Sequence, residues 1–441
     1  VSGNLREKLL KVNEKLMDET FTNVCQCLLN VLQGDETVRN NAEQQLNNYF
    51  RSPGFHTLLQ SIIQGSNYDR VLKQSAVMMF SRLIKTYWEE KDGYSINTDE
   101  KNQIRGALLS ILAITDDMML SGNIVDMLSH IIFVDFPVVW PNAFHQLAEL
   151  LAVDNIGQRQ RVLLLIYRAL KTIAKKPEDV PFSDPRGDEY RDKKDKLQEI
   201  SIEIFSTISS LWVNTSTHML SSLSSYLQGT LQENELQNEL GMVCKFSLKA
   251  MHIIFRYFYS YFGDRNPSVC VEFFKVVLQH LNSTIDCRVA LENKNILFTD
   301  YVEKSILNYL KLVNDSQDNH PLTFVPVLEL YLDFYYRQVF RTEFPLKVEF
   351  WQKFMILILS FFSGLFSKRE YVDTSSLMRR SPLYEEDQKT DNPVMNAARS
   401  IMSQFFTLDK KIRIGEAINR PFYVCYTSND GTLERRTRRL Y

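Results

Sequence analysis

Catalysis needs a nucleophile, an acid–base pair or a metal cage, and each has a spacing that can be sought directly. The seven histidines stand at 56, 130, 145, 218, 252, 280 and 320, and no HExxH pair joins any of them. His130 and His145 read as helix-face residues rather than ligands. The six cysteines are Cys25, Cys27, Cys244, Cys270, Cys287 and Cys425. No CxxC is matched by a second one, so no zinc framework emerges, and so few thiols in so long a chain read as reduced. Cys25 and Cys27 sit in a helical pattern, where positions i and i+2 point to different faces and do not share a metal. Neither the GxxxxGK[ST] phosphate loop nor the GxSxG elbow occurs. Glu89-Glu90-Lys91-Asp92 and Glu385-Glu386-Asp387 read as solvated charge runs. The expectation is a protein that is no enzyme and takes no cofactor or metal.

The elements that must carry any other function are helices. Gly and Pro number 15 and 13 in 441 residues, and these are the residues that punctuate strands and tight turns. Hydrophobic residues make 44% and charged residues 24%, a globular rather than disordered balance. Lys+Arg total 51 against 53 Asp+Glu, a net charge of −2, which disfavours direct binding of nucleic acid. No secretory leader pattern opens the chain at Val1. The longest apolar run, Met355 to Phe366, falls short of the about 18 residues of a membrane span, so it reads as a helix buried between neighbours and membrane insertion is not expected.

Apolar residues recur at helical spacing along most of the chain. Val24, Leu28 and Val31 share a face that ends at Gly34, taken as a left-handed stop. Asp35 is placed to cap the next helix, and Ser52-Pro53-Gly54 breaks it. Further helices are predicted at 55–63, 72–87, 102–114, 120–133, 144–151, 158–174, 197–212, 218–227, 236–262, 269–281, 296–313, 326–340 and 348–366. They pair at intervals of about 35 to 50 residues without a fixed repeated word, the mark of HEAT-type arrays, in which each pair stacks on its neighbour to bury an apolar face. The expected fold class is therefore all-α, an α-α superhelix. Residues 175–196, with Pro177, Pro181, Pro185 and balanced charges, read as a solvated loop. The aromatic belt Phe255 to Phe262 reads as core, with an apolar slot on the outer face as the alternative. After Lys368 the chain is polar and aperiodic, apart from one possible helix at 396–406. The predicted divisions are 1–19, 20–115, 116–367 and 368–441.

Three stretches are more specific. Ala42-Glu-Gln-Gln-Leu46, Pro53-Gly54-Phe55, Val71-Leu-Lys-Gln-Ser-Ala76, Phe80 and Trp88 resemble the N-terminal domain of the importin-β (karyopherin) superfamily. Asp135-Phe136-Pro137-Val138-Val139-Trp140-Pro141 resembles the D-F/C-P-x-x-W-P turn after that family's third repeat. Leu163 to Tyr167, Lys171 to Lys175 and His320 to Pro326 are similar to the importin-eleven branch. In the turn, Pro137 and Pro141 are expected to hold the chain extended, with Phe136 and Trp140 locking the corner between repeats.

The resemblance implies a nuclear import receptor, shuttling between nucleus and cytoplasm, with 20–115 as its Ran-binding domain. Its implied partners are Ran-GTP, protein cargo and Phe-Gly nucleoporins. The family's Phe-Lys-Asn is Phe80-Ser81-Arg82 here, which leaves Arg82 and Lys85 as the candidate Ran contacts on that helix. Asp126 falls where the family commonly places an Asp in its third inner helix. An exportin of the same superfamily and a HEAT scaffold outside transport stand as alternatives. The array is about half the length of a full receptor, so the chain reads as an N-terminal part.

Overall fold

The computed structural model describes residues 19–174, 185–262, 267–291, 297–319, 321–340 and 348–367. Among them there are helices and one isolated bridge, Lys91 with Tyr94, and no strand. The predicted helix at 396–406 and the whole of 368–441 lie outside the described residues. The described residues form two compact units, one before and one after residue 175.

In the first unit, α1 (19–30) is followed by α2 (Glu36–Tyr49), α3 (Phe55–Gln64) and α4 (Arg70–Tyr87). After these come α5 (Thr98–Ile114), α6 (Met118–Asp135), α7 (Ala143–Ala152) and α8 (Ile156–Ala174). The starts are written in the sequence. Asp35, Asp69, Asn97 and Asp117 each accept a hydrogen bond from the first turn they precede, which satisfies amides that have no intrahelical partner. Gly34 does not take the left-handed conformation; Gly54, the residue that precedes α3, does, with φ 77°. Consecutive helices pack as the pairs α3/α4, α5/α6 and α7/α8, and α4, α6 and α8 lie side by side in one layer. Ser75 of α4 donates to the Leu28 carbonyl of α1 at 2.8 Å, so the first pair joins the same stack.

α6 has the length and hydropathy of a membrane-crossing helix, yet 56% of it is buried against α4, α5 and α8. A core helix covered on several sides is apolar all round for that reason.

The second unit holds α9 (Pro185–Leu227), α10 (Asn238–Phe262) and α11 (Pro267–Ala290). It continues with α12 (Leu297–Asn319), α13 (Pro321–Phe340) and α14 (Val348–Ser367). Here α9, α11 and α13 form one layer and α10, α12 and α14 the other. Gly241 of α10 faces the Tyr301 side chain so closely that a Cβ would come within 2.6 Å of the Tyr301 Cβ and 2.9 Å of the ring, so its lack of a side chain lets α10 and α12 approach.

Three expectations are corrected here. Residues 185–196 are the first turns of α9, not a loop. Pro185 suits a first helical position, and Lys193 with Glu189 and Lys196 with Glu199, each pair at 2.6 Å, support the exposed turns. The two helices expected at 197–212 and 218–227 are one. The polar stretch between them contains no Gly or Pro, and Ser216 and Thr217 turn their hydroxyls back to the Val213 carbonyl. α14 is buried on one side only: Phe354, Met355, Ile358 and Phe361 are covered while Ile356 is 39% exposed.

Candidate functional site

The signature turn builds a buried cluster. Asp135 ends α6, and its carboxylate accepts from the Trp88 indole at 3.0 Å and from Arg105 at 2.9 and 2.6 Å. The Arg105 guanidinium lies over both Trp88 and Trp140, 5.7 and 5.6 Å from the ring centroids. Trp140 donates to Gln146 at 3.1 Å, and Phe136 meets Phe144 edge-on at 5.4 Å. Phe136 and Trp140 are buried, Pro137 is half-buried and Pro141 exposed. The chain here is a tight turn rather than extended. Phe136, before the proline, has extended backbone, while the amides of Val139 and Trp140 both return to the Asp135 carbonyl. Val138, at the tip, is 85% exposed.

The layer formed by α4, α6 and α8 carries the three candidate contacts on its exposed side. Arg82 and Lys85 of α4 are exposed, three residues apart, and Asp126 is exposed on α6, the neighbouring helix of the layer. Arg82 meets Glu43 of α2 at 3.7 Å. Asp126 is ion-paired with Arg168 of α8. Lys85 lies within electrostatic reach of half-buried His130. Burial holds the His130 pKa below its ordinary value; Glu89 opposes that shift and Lys85 adds to it. The surface can therefore present charges of both signs to a protein partner.

Glu43 and Arg168 escape sequence reasoning as members of this row, because their partners lie 39 and 42 residues away in the chain. The spacing of one repeat was the signal available. Two rings of the aromatic belt are interior: Phe255 packs on Phe205 at 5.4 Å and Phe273 at 5.6 Å, and Phe258 is wholly buried, while Tyr257 is half-buried. Among the described residues no cluster of His, Cys, Asp or Glu is arranged to hold a metal.

Comparison with known proteins places this geometry. Residues 42–113, which run from α2 to α5, match the Importin-beta N-terminal domain. Importin-11 of Homo sapiens is 22% identical over 94% of this chain and 41% of its own length. The yeast Importin beta-like protein KAP120 (Saccharomyces cerevisiae) is 34% identical over 30% of the chain and 12% of its own length. The chain thus spans about two-fifths of the length of the importin-11 relatives it matches. Two solved structures share the fold. Lph2, described as a bidirectional nuclear transport receptor of S. cerevisiae, superposes with a TM-score of 0.59 at 22% identity, over 86% of this chain and 35% of its own. The exportin Cse1 in its cargo-free, cytoplasmic state gives 0.52 at 15%, over 89% and 44%. Karyopherins are non-enzymatic receptors built from HEAT repeats. The helix pairs, the signature turn and the matched domain agree in their likeness to the importin-β family, which the family match carries over residues 42–113 and the importin-11 relatives carry at 22–23% identity over most of the chain.

Proposed function

We propose that this chain is the N-terminal part of a nuclear import receptor that binds Ran-GTP and protein cargo and moves between cytoplasm and nucleus. The observation that carries the reading is the coincidence of the importin-β N-terminal match, residues 42–113, with an exposed layer on which α4 presents Arg82 and Lys85. Similarity to Importin-11 over 94% of the chain supports import as the direction. Phe-Gly nucleoporins are the implied contacts at the pore. The physical basis is that stacked helix pairs touch only their neighbours, so two ligands can bias one flexible array against each other.

The test is binding of the chain to Ran loaded with GTP or GDP, by titration calorimetry. The expected outcome is GTP-selective binding, weakened at least tenfold by Arg82→Glu with Lys85→Glu. Equal affinity for the two nucleotide states would sink the reading. Unchanged affinity in the double variant would remove those two residues from the contact. An exportin reading is favoured instead if Ran-GTP strengthens, rather than opposes, capture of cargo.

A further inference from the structure

The second unit carries a surface of different character. From Val243 to Arg256, α10 is packed so closely by α9 and α12 that only Lys245, Lys249, His252 and Arg256 are not buried. Their spacing of four, three and four residues is one stripe along the helix. From Val302 to Gln317, α12 leaves only Lys304, Leu307, Lys311 and Asp315 uncovered. The two stripes face out of the same layer, and they are joined where Asp315 meets His252 and Arg256, the latter at 3.3 Å. Five permanent cations therefore stand with one carboxylate on adjacent helices.

We propose that this outward face of α10 and α12 docks an acidic segment of a partner protein. Solvated helix faces ordinarily mix both signs, as the exposed side of α4, α6 and α8 does. A face on which every uncovered position from Val243 to Arg256 is basic or His gathers like charges at an electrostatic cost that an anionic ligand removes. Lys245 feels that cost: its pKa lies below the ordinary lysine value, through burial first and then through Lys249 and Lys304. The stems are also organised, with Lys245 Nζ 5.0 Å from the Phe246 ring centroid and Lys304 Nζ 5.7 Å from that of Tyr301.

Size and surroundings select a peptide over a nucleic acid. The α10 stripe runs from Lys245 to Arg256, eleven residue steps and about 16 Å at 1.5 Å per residue, which an extended segment of about five residues covers. Packed helix axes lie about 8–10 Å apart, so one such segment fits between the two rows. Beyond the basic stretch, Glu239 and Asp300 stand close enough to Tyr301 to raise its pKa further after burial. A longer polyphosphate would be driven over those carboxylates. The inference rests on α10 and α12 alone and holds whether or not α4 contacts Ran.

The test uses the full chain and a fluorescein-labelled decapeptide of Glu, Asp and Gly, followed by anisotropy at low and physiological salt. An amide-matched Gln/Asn/Gly peptide and a ten-nucleotide single-stranded DNA run alongside. The expected result is selective binding of the acidic peptide, weakening with salt, and reduced at least tenfold by Lys245→Gln, Lys249→Gln, Lys304→Gln and Lys311→Gln together. A number-matched variant, with Lys91, Lys171, Lys194 and Lys196 changed to Gln, should bind as the parent does. Replacing the same four stripe lysines by Glu should transfer binding to a Lys/Gly decapeptide, and circular dichroism checks that each variant is folded. Equal loss in the number-matched variant, tighter binding of the oligonucleotide, or no binding of the acidic peptide overturns the proposal.

Discussion

Arg105 of α5 closes on Asp135 of α6 at 2.6 Å; both side chains are buried, and the guanidinium lies against the Trp88 and Trp140 rings. Removing one member of such a pair leaves the other charge uncompensated, a cost of about 3–5 kcal/mol. Arg105→Met should therefore lower the thermal midpoint sharply. Trp140→Phe, which keeps a ring over the guanidinium but loses the bond to Gln146, should do so less. A midpoint for Arg105→Met within a degree of the parent would show that the pair does not hold this corner.

The Asp126–Arg168 pair on the exposed layer offers a way to separate structure from contact. Exposed pairs contribute about 0.2–1 kcal/mol, so Asp126→Arg combined with Arg168→Asp should leave stability nearly unchanged. If Asp126 also touches Ran, the swapped protein loses affinity although its internal pair survives. A swap that leaves both stability and affinity intact would assign Asp126 to bracing α6 against α8 and nothing more.

Acid should loosen the fold. Burial lowers the pKa of His56, His130 and His280 below the free value of about 6.5. Between the lowered and the free values the unfolded chain binds more protons than the folded one. Stability is then full above about pH 6.5 and declines as pH falls below it. The apparent melting temperature should drop from pH 7.5 to 5.5. His280→Gln, which keeps a polar group near Ser216 while removing the titration, should drop less. A parent midpoint that is flat or rising over that window contradicts the sign.

The early turns of α9 should resist trypsin. Arg191, Lys193, Lys194 and Lys196 lie within the helix, and the Lys193 side chain is buried. Cleavage after these residues should wait for unfolding, as mass spectrometry of limited digests would reveal. Lys193→Pro, costing about 3 kcal/mol or more in a helix interior, should make the same bonds labile. Rapid cutting of the parent there would count against a helical 185–196.

Helices whose apolar positions recur every three or four residues were readable, because burial of one face in a stack writes that period directly. Asp35 and the Ser52-Pro53-Gly54 break were readable for a local reason: caps and turns act within a few residues. The α9 error had a specific source. Charge alternation with prolines resembles a solvated loop, but three to four residues between opposite charges is also the spacing of exposed helical ion pairs. The partners Glu43, Arg105 and Arg168 were hidden because each acts on a residue 30 to 42 positions away, a distance that only the stack closes. The α10 stripe was open to reading, since Lys245, Lys249, His252 and Arg256 share one face by spacing alone; which face remained uncovered required the packing of α9 and α12.

Arg161 of α8 reaches across to the end of α5, donating to the carbonyls of Leu112 at 2.7 Å and Ala113 at 2.6 Å. The final turn of α5 is thus finished by a side chain belonging to the next helix pair in sequence. A fragment cut at 113 or 115, where pattern matching would end a domain, would carry a ragged terminus with its acceptors turned toward solvent. The smallest self-sufficient piece of this array is set by where such borrowed closures are repaid, and for α5 that means carrying the chain through α8.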